Sequence, residues 1–241
     1  EPLVAEIEIV SPENNADYDV SEENFTTTPP IQFRAQVLPQ DVNWQGESQW
    51  TLDVEYDTTI SRGPWTSHRA FQTQNDAIHE AQYVSEGGRI NATAIATLTN
   101  DSIIESEIDI TITGVNIPAN VITARLIALY NGATPNLLTG IATRESGCYC
   151  QFYQITKYNV AALWPRESND GGSHIGIMQV PVSMDNAWNW LTNTQVADDI
   201  IMGNIQQSHT HVNNLRAAHH GLRDLTAIEH ENNALSIYRI G

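Results

Sequence analysis

With 241 residues the chain exceeds one average domain, and its 29 acidic residues against 11 basic ones give a net charge of −18. That balance repels nucleic acid and anionic lipid, so neither is expected as a partner. No apolar run approaches the roughly 18 residues of a membrane span, so no membrane insertion is expected. The charge is uneven: residues 1–114 hold 20 acidic residues and four arginines, a balance of −16, whereas residues 115–241 hold nine acidic and seven basic, a balance of −2. Two domains, 1–114 and 115–241, follow as the expectation, with the acidic surplus a solubility feature of the first. The chain opens at Glu1 rather than Met, so a leader or upstream portion removed from it is expected.

Residues 1–114 alternate with period two. Ile7 and Ile9, then Ile31, Phe33, Ala35 and Val37, then Trp50, Leu52, Val54 and Tyr56, then Ile90 to Leu98, then Ile108, Ile110 and Ile112 each set one apolar face against polar neighbours. A weaker strand is expected from Ile78 to Val84. Separators rich in Pro, Gly and Asn, such as Ser61-Arg-Gly-Pro64, divide six or seven antiparallel strands. Short strands of this kind pack as an immunoglobulin-like β-sandwich, here without an inter-sheet disulfide because this half has no Cys. Trp50 is in phase with the inward face and reads as core. Trp44 and Trp65 stay open as loop residues that could stack on a sugar. The sandwich reads as a spacer, or as a module on which a protein partner docks.

At Thr113-Gly-Val-Asn-Ile-Pro118 the period changes from two to about 3.6, which marks the domain boundary. Asn116 or a neighbour can cap the first helix, and Pro118 suits its first turn. Ile122, Leu126 and Leu129 form its buried stripe, and Gly132 and Pro135 end it. From Asn136 a second helix places Leu138, Ile141 and Glu145 on one face, with Gly147 as its stop. A carboxylate on an apolar stripe is pushed toward its neutral form, which suits a general acid near neutral pH. Glu145 is the candidate acid; an exposed last-turn Glu is the alternative reading.

Cys148 and Cys150 lie too close for an easy bridge and are too few for a metal cage, so they read as small side chains or reactive thiols. Residues 148–167 are expected to form an extra lobe or lid. Ser168-Asn-Asp-Gly-Gly172 is a polar turn carrying Asp170, and Gly176-Ile-Met-Gln179 is a turn entering a brief strand. Asp185 follows soon after. From Thr194, Val196, Ile200, Ile201, Ile205, Val212 and Leu215 trace one face of a long scaffold helix closed by Gly221, and a last helix runs from about Leu225 to Tyr238. The histidines of this half, at spacings such as His209 and His211 or His219 and His220, form no zinc signature and read as exposed helix residues. No metal and no cofactor are expected.

Glu145-Ser146, Gly176-Ile-Met-Gln179 and Ala234-Leu-Ser-Ile-Tyr-Arg-Ile-Gly241 together resemble the three motifs of the lytic transglycosylases and goose-type lysozymes. The resemblance covers roughly residues 116–241 and implies a lysozyme-like, mainly α domain. It implies cleavage of the β-1,4 bond between N-acetylmuramic acid and N-acetylglucosamine in peptidoglycan glycan strands, with Glu145 as general acid/base. It implies a cleft lined by Met178, Gln179 and Tyr238, with Gly176 letting the ligand approach the backbone and Ser146 holding the local structure. His174 beside the second motif is a substrate contact or a solvated loop residue. Asp170 stands where a water-directing Asp would lie in a hydrolase, and Asp185 is a weaker candidate. Arg239 replaces the usual Asn of the third motif and would grip an anionic carboxylate, or mark lost activity. Export to the periplasm or beyond is implied with the activity. The alternatives are a catalytically inactive lysozyme-like module that binds peptidoglycan and an adaptor for secretion or adhesion.

Overall fold

The computed structural model describes the chain apart from residues 1–3, 21–24, 58–63, 135, 148, 158–159, 169–172 and 239–241. Among the described residues, eight strands build the first half: β1 (Glu6–Ser11), β2 (Ala16–Asp19), β3 (Ile31–Leu38), β4 (Trp44–Asp57), β5 (Pro64–Gln74), β6 (His79–Ala81), β7 (Gly88–Leu98) and β8 (Ile103–Thr113). They form a three-stranded sheet ordered β1-β3-β6 and a five-stranded sheet ordered β2-β8-β7-β4-β5. The alternation set out above puts Ile31, Phe33, Ala35 and Val37 of one sheet against Trp50, Leu52, Val54, Ile90 and Ile110 of the other, in one fully buried core. Each such residue contributes about 1.5–3 kcal/mol by leaving water. The first half is thus a two-sheet β-sandwich.

Two strands break the sequence-based expectation. β2 runs parallel to β8, Ala16 opposite Ile110, so the sandwich is not wholly antiparallel. β5, a stretch that the apolar alternation did not single out, pairs antiparallel with β4 from Pro64 to Gln74. Its less exposed positions are Ser67, Arg69, Phe71 and Thr73, so its alternating face is largely polar. Trp50 is core as expected, with no exposed surface and its indole N–H donating to Thr73 Oγ1 at 3.0 Å. Trp44 also packs partly buried against that core, so it is not a free loop residue; the side chain of Trp65 lies outside the described residues.

Among its described residues the second half holds five helices: α1 (Ala119–Leu129), α2 (Leu137–Ser146), α3 (Met184–Trp188), α4 (Trp190–Ala218) and α5 (Ala227–Tyr238). Between α2 and α3 lie the hairpin β9 (Phe152–Lys157) with β10 (Val160–Pro165) and the two-residue pair β11 (His174–Ile175) with β12 (Val180–Pro181). Pro118 stands at the N-cap of α1 without a side-chain cap. Asn116 is not a cap: its Oδ1 accepts from Phe152 N at 3.0 Å. Ile122, Leu126, Leu138, Ile141, Met178, Trp190 and Ile201 share one core, whereas Leu215 near the end of α4 is exposed. From Asn213 to Ala218 the residues of that helix are exposed, with Arg216 paired to Asp224 at 3.0 Å, so the apolar stripe runs on past the core.

The two halves are joined by an aromatic cluster. Tyr56 of β4 stacks on Trp164 of β10 at 5.8 Å and meets Trp188 of α3 edge-on at 5.6 Å. Phe152 completes the group, and Tyr56 Oη donates to Glu167 Oε1 at 3.1 Å. Trp188 lies so close to Gly87 that a Cβ there would stand 2.4 Å from the indole. The base of the β9–β10 hairpin, within the 148–167 stretch expected to form an extra lobe or lid, is therefore part of the joint between the two halves.

Candidate active site

Helix α2 begins after Asn136 in a left-handed conformation (φ 62°), and Thr139 Oγ1 donates to Asn136 O at 2.6 Å. It ends at Gly147 (φ 69°), whose N–H returns to Thr143 O. Leu138 and Ile141 are buried on the core face as expected, and Glu145, one turn further on, is half-buried. Ser146, expected among the ligand-binding residues, is fully buried, with Oγ bonded to Ala142 O at 2.9 Å. It faces the core because it lies one residue round the helix from Glu145.

The turn Gly176–Gln179 is lashed down by two buried amides. Gln151 Nε2 donates to Asn186 O and Ala187 O, while its Oε1 accepts from Ile177 N at 3.1 Å. Asn193 of α4 donates to Ile175 O and Asn186 O and accepts from Met178 N at 3.0 Å. Gly176 has φ +81°, and a Cβ on it would lie 2.2 Å from Asn193 Nδ2 and 2.7 Å from Gln151 Oε1. Its small size thus serves these amides and not a ligand, as first expected. Met178 is likewise fully buried and belongs to the core, which corrects its expected place on the cleft wall. Gln179 is half-buried with φ 49°, and its amide donates to Gly176 O at 2.7 Å and Arg166 O at 3.2 Å.

Tyr238, the last residue of α5, connects these pieces. Its hydroxyl donates to Met178 O at 2.5 Å. Burial, and secondly the charge of Glu145, push its pKa up. Tyr238 lines a cavity of about 250 Å³ together with Thr134, Leu137, Ile141, Arg144, Glu145 and Leu235. It also lines a second cavity, of about 240 Å³, together with His174, Gln179, Pro181, Asn204 and Ile237. Glu145, His174, Gln179 and Tyr238 are therefore brought together, while Ser146, Gly176 and Met178 support them from behind. The arrangement offers one carboxylate at the edge of an apolar wall, an acceptor-rich turn and a tyrosine between two spaces, which suits a ligand with flat apolar faces and polar edges.

Asp170 and Arg239 lie outside the described residues. Asp185 is exposed in the first turn of α3 and lines neither cavity. Gln151, Asn193 and Glu231 were not singled out from sequence. Asn193 had a signal, a polar residue on the inward face of a long amphipathic helix; Gln151 had none. His230 departs from the expected exposure: it is 1% exposed, bonded through Nδ1 to Ser208 Oγ at 2.9 Å, and in tilted ring contact with His209 at 3.6 Å between centroids. Among the described residues no group of three or more His, Cys, Asp or Glu side chains could hold a metal ion. Cys150 is disulfide-bonded, which corrects its reading as a small side chain or reactive thiol, while Cys148 lies outside the described residues.

No family model matches the chain, and no curated protein does. Among solved structures it is similar to the fibronectin(III)-like modules of Clostridium thermocellum CbhA, at 14% identity over 44% of this chain and 93% of that one, with a TM-score of 0.23. It is similar also to DIP-gamma IG1+IG2, at 13% identity over 44% of this chain and 48% of that one, with a TM-score of 0.22. The two-sheet sandwich rests on the strand pairing and shared core described above.

Proposed function

We propose that the chain cleaves the β-1,4 bond between N-acetylmuramic acid and N-acetylglucosamine in peptidoglycan, with Glu145 as general acid/base, as a lytic transglycosylase or goose-type lysozyme. The second half is then a lysozyme-like domain, acting in the periplasm or outside the cell. The observation that carries this reading is Tyr238, which touches the Glu145 cavity, the His174–Gln179 cavity and the Met178 carbonyl at once. That residues from three stretches far apart in sequence share the surroundings of Tyr238 supports this reading. A glycosidic bond needs its leaving oxygen protonated while positive charge develops on the sugar ring. A half-buried carboxyl beside an apolar wall is suited to deliver that proton. Glu145 would then take a proton either from the muramic 6-hydroxyl, giving a 1,6-anhydro end, or from water, giving a reducing end. The disulfide at Cys150 supports export, because such bonds persist in oxidising compartments.

A second reading, a glycan-binding module without turnover, draws on the inward engagement of the Gln179 amide, which leaves less polar reach into the cleft. Mass spectrometry of purified sacculi after incubation separates the readings. Anhydro or reducing ends that vanish in Glu145→Gln support cleavage; sacculi bound equally by both forms, with no muropeptide released, support the module. In either reading the sandwich positions the cleft or holds a protein partner.

A further inference from the structure

Glu231 of α5 is 3% exposed. Its Oε1 accepts from Tyr130 Oη at 2.6 Å, Ala133 N at 2.5 Å and Thr134 N at 3.2 Å, and its Oε2 accepts from Thr134 Oγ1. A buried carboxylate is costly unless its lone pairs are satisfied, and here four neutral donors from one short segment satisfy it. Burial works against its charge, but these bonds outweigh it and hold the carboxyl below its ordinary range. The segment it grips ends in Thr134, which lines the Glu145 cavity. Leu235 and Tyr238, one and two turns further along the same helix, line the same cavity.

We propose, resting on the cleavage reading, that Glu231 is a positioning residue that locks the 130–134 wall to α5 and so fixes the width of the cavity in which Glu145 meets a sugar ring. It is not a second catalytic carboxylate, because all four of its contacts are spent on the protein. A sugar must fit between Thr134 and Tyr238, and both are referenced to one helix through this side chain.

The test uses the full chain with Glu231→Ala and Glu231→Gln, each first shown to melt cooperatively. Hydrogen exchange at the Ala133 and Thr134 amides and turnover of soluble glycan strands are then measured. In Glu231→Ala both amides are expected to exchange at least about tenfold faster and KM to rise about tenfold, the loss of one hydrogen bond to a charged acceptor, with kcat nearly kept. Glu231→Gln, with an acceptor of the same reach, stays near wild type in both. Should the Ala variant not fold, Glu231→Asp, too short to reach the segment, is read in its place. Unchanged amide exchange overturns the proposal, as does a collapse of kcat in Glu231→Gln like that of Glu145→Gln. If wild type releases nothing from glycan, the cleavage reading fails by itself, and the exchange rates alone decide whether Glu231 locks the wall.

Discussion

Replacing Gly176 by Ala tests how tightly the second motif is held. At φ +81° an L side chain costs about 1–2 kcal/mol of backbone strain. The new Cβ would also stand 2.2 Å from Asn193 Nδ2 and 2.7 Å from Gln151 Oε1. Neither amide can retreat cheaply, because Asn193 already bonds Ile175, Asn186 and Met178, and Gln151 bonds Asn186, Ala187 and Ile177. Displacing one buried hydrogen bond adds about 1–3 kcal/mol. The total, about 2–5 kcal/mol, corresponds to a urea midpoint lower by about 1–2 M for the second domain at an ordinary denaturant slope. Unfolding followed by near-UV circular dichroism reads it, since Trp164, Trp188 and Trp190 all lie in this half. A midpoint within about 0.3 M of wild type would refute the argument, because it would mean that the turn and its two amides can shift at almost no cost.

Glu145→Gln is expected to abolish muropeptide release while leaving the melting temperature near wild type; retained release by mass spectrometry would remove Glu145 from the mechanism. Trp188→Ala, which empties the centre of the joint between Tyr56, Phe152 and Trp164, should cost about 3–5 kcal/mol and split a shared unfolding transition into two, as calorimetry would record. Glu231 has a folded pKa below its ordinary 4.5, so its contribution is complete above that value and is lost as pH falls through the lower folded value. Acid unfolding of Glu231→Gln should accordingly show a shallower loss of stability below about pH 4.5 than wild type; identical acid profiles would count against an ionised Glu231. Tyr238→Phe removes the donor to Met178 O and is expected to cost about 1–3 kcal/mol, read from thermal melts, through a carbonyl left unpaired.

Much of this molecule is legible along the chain because periodicity is local. Alternation in β3, β4 and β7 fixed which residues face the sandwich core, and the three-to-four spacing of Leu138, Ile141 and Glu145 put a carboxylate at the edge of an apolar stripe. Gly147 marked the end of that helix for the same reason, a backbone conformation that one residue type tolerates. β5 escaped because its less exposed face is made of Ser67, Arg69 and Thr73 around a single Phe71, which leaves no apolar alternation to read. The disulfide at Cys150 escaped because bridge formation is decided by backbone geometry that composition does not reveal.

Sequence by itself determined which residues face the sandwich core and where the period changes near residue 114, both of which depend on neighbours within a turn or a strand. Only tertiary structure decided that Tyr238 bridges two cavities, that Met178 and Gly176 serve the core behind the site, and that Glu231 grips a segment about a hundred residues away. Those assignments depend on contacts between elements far apart in the chain, where a buried polar atom takes whichever partner the packing brings within reach, and no local pattern encodes that choice.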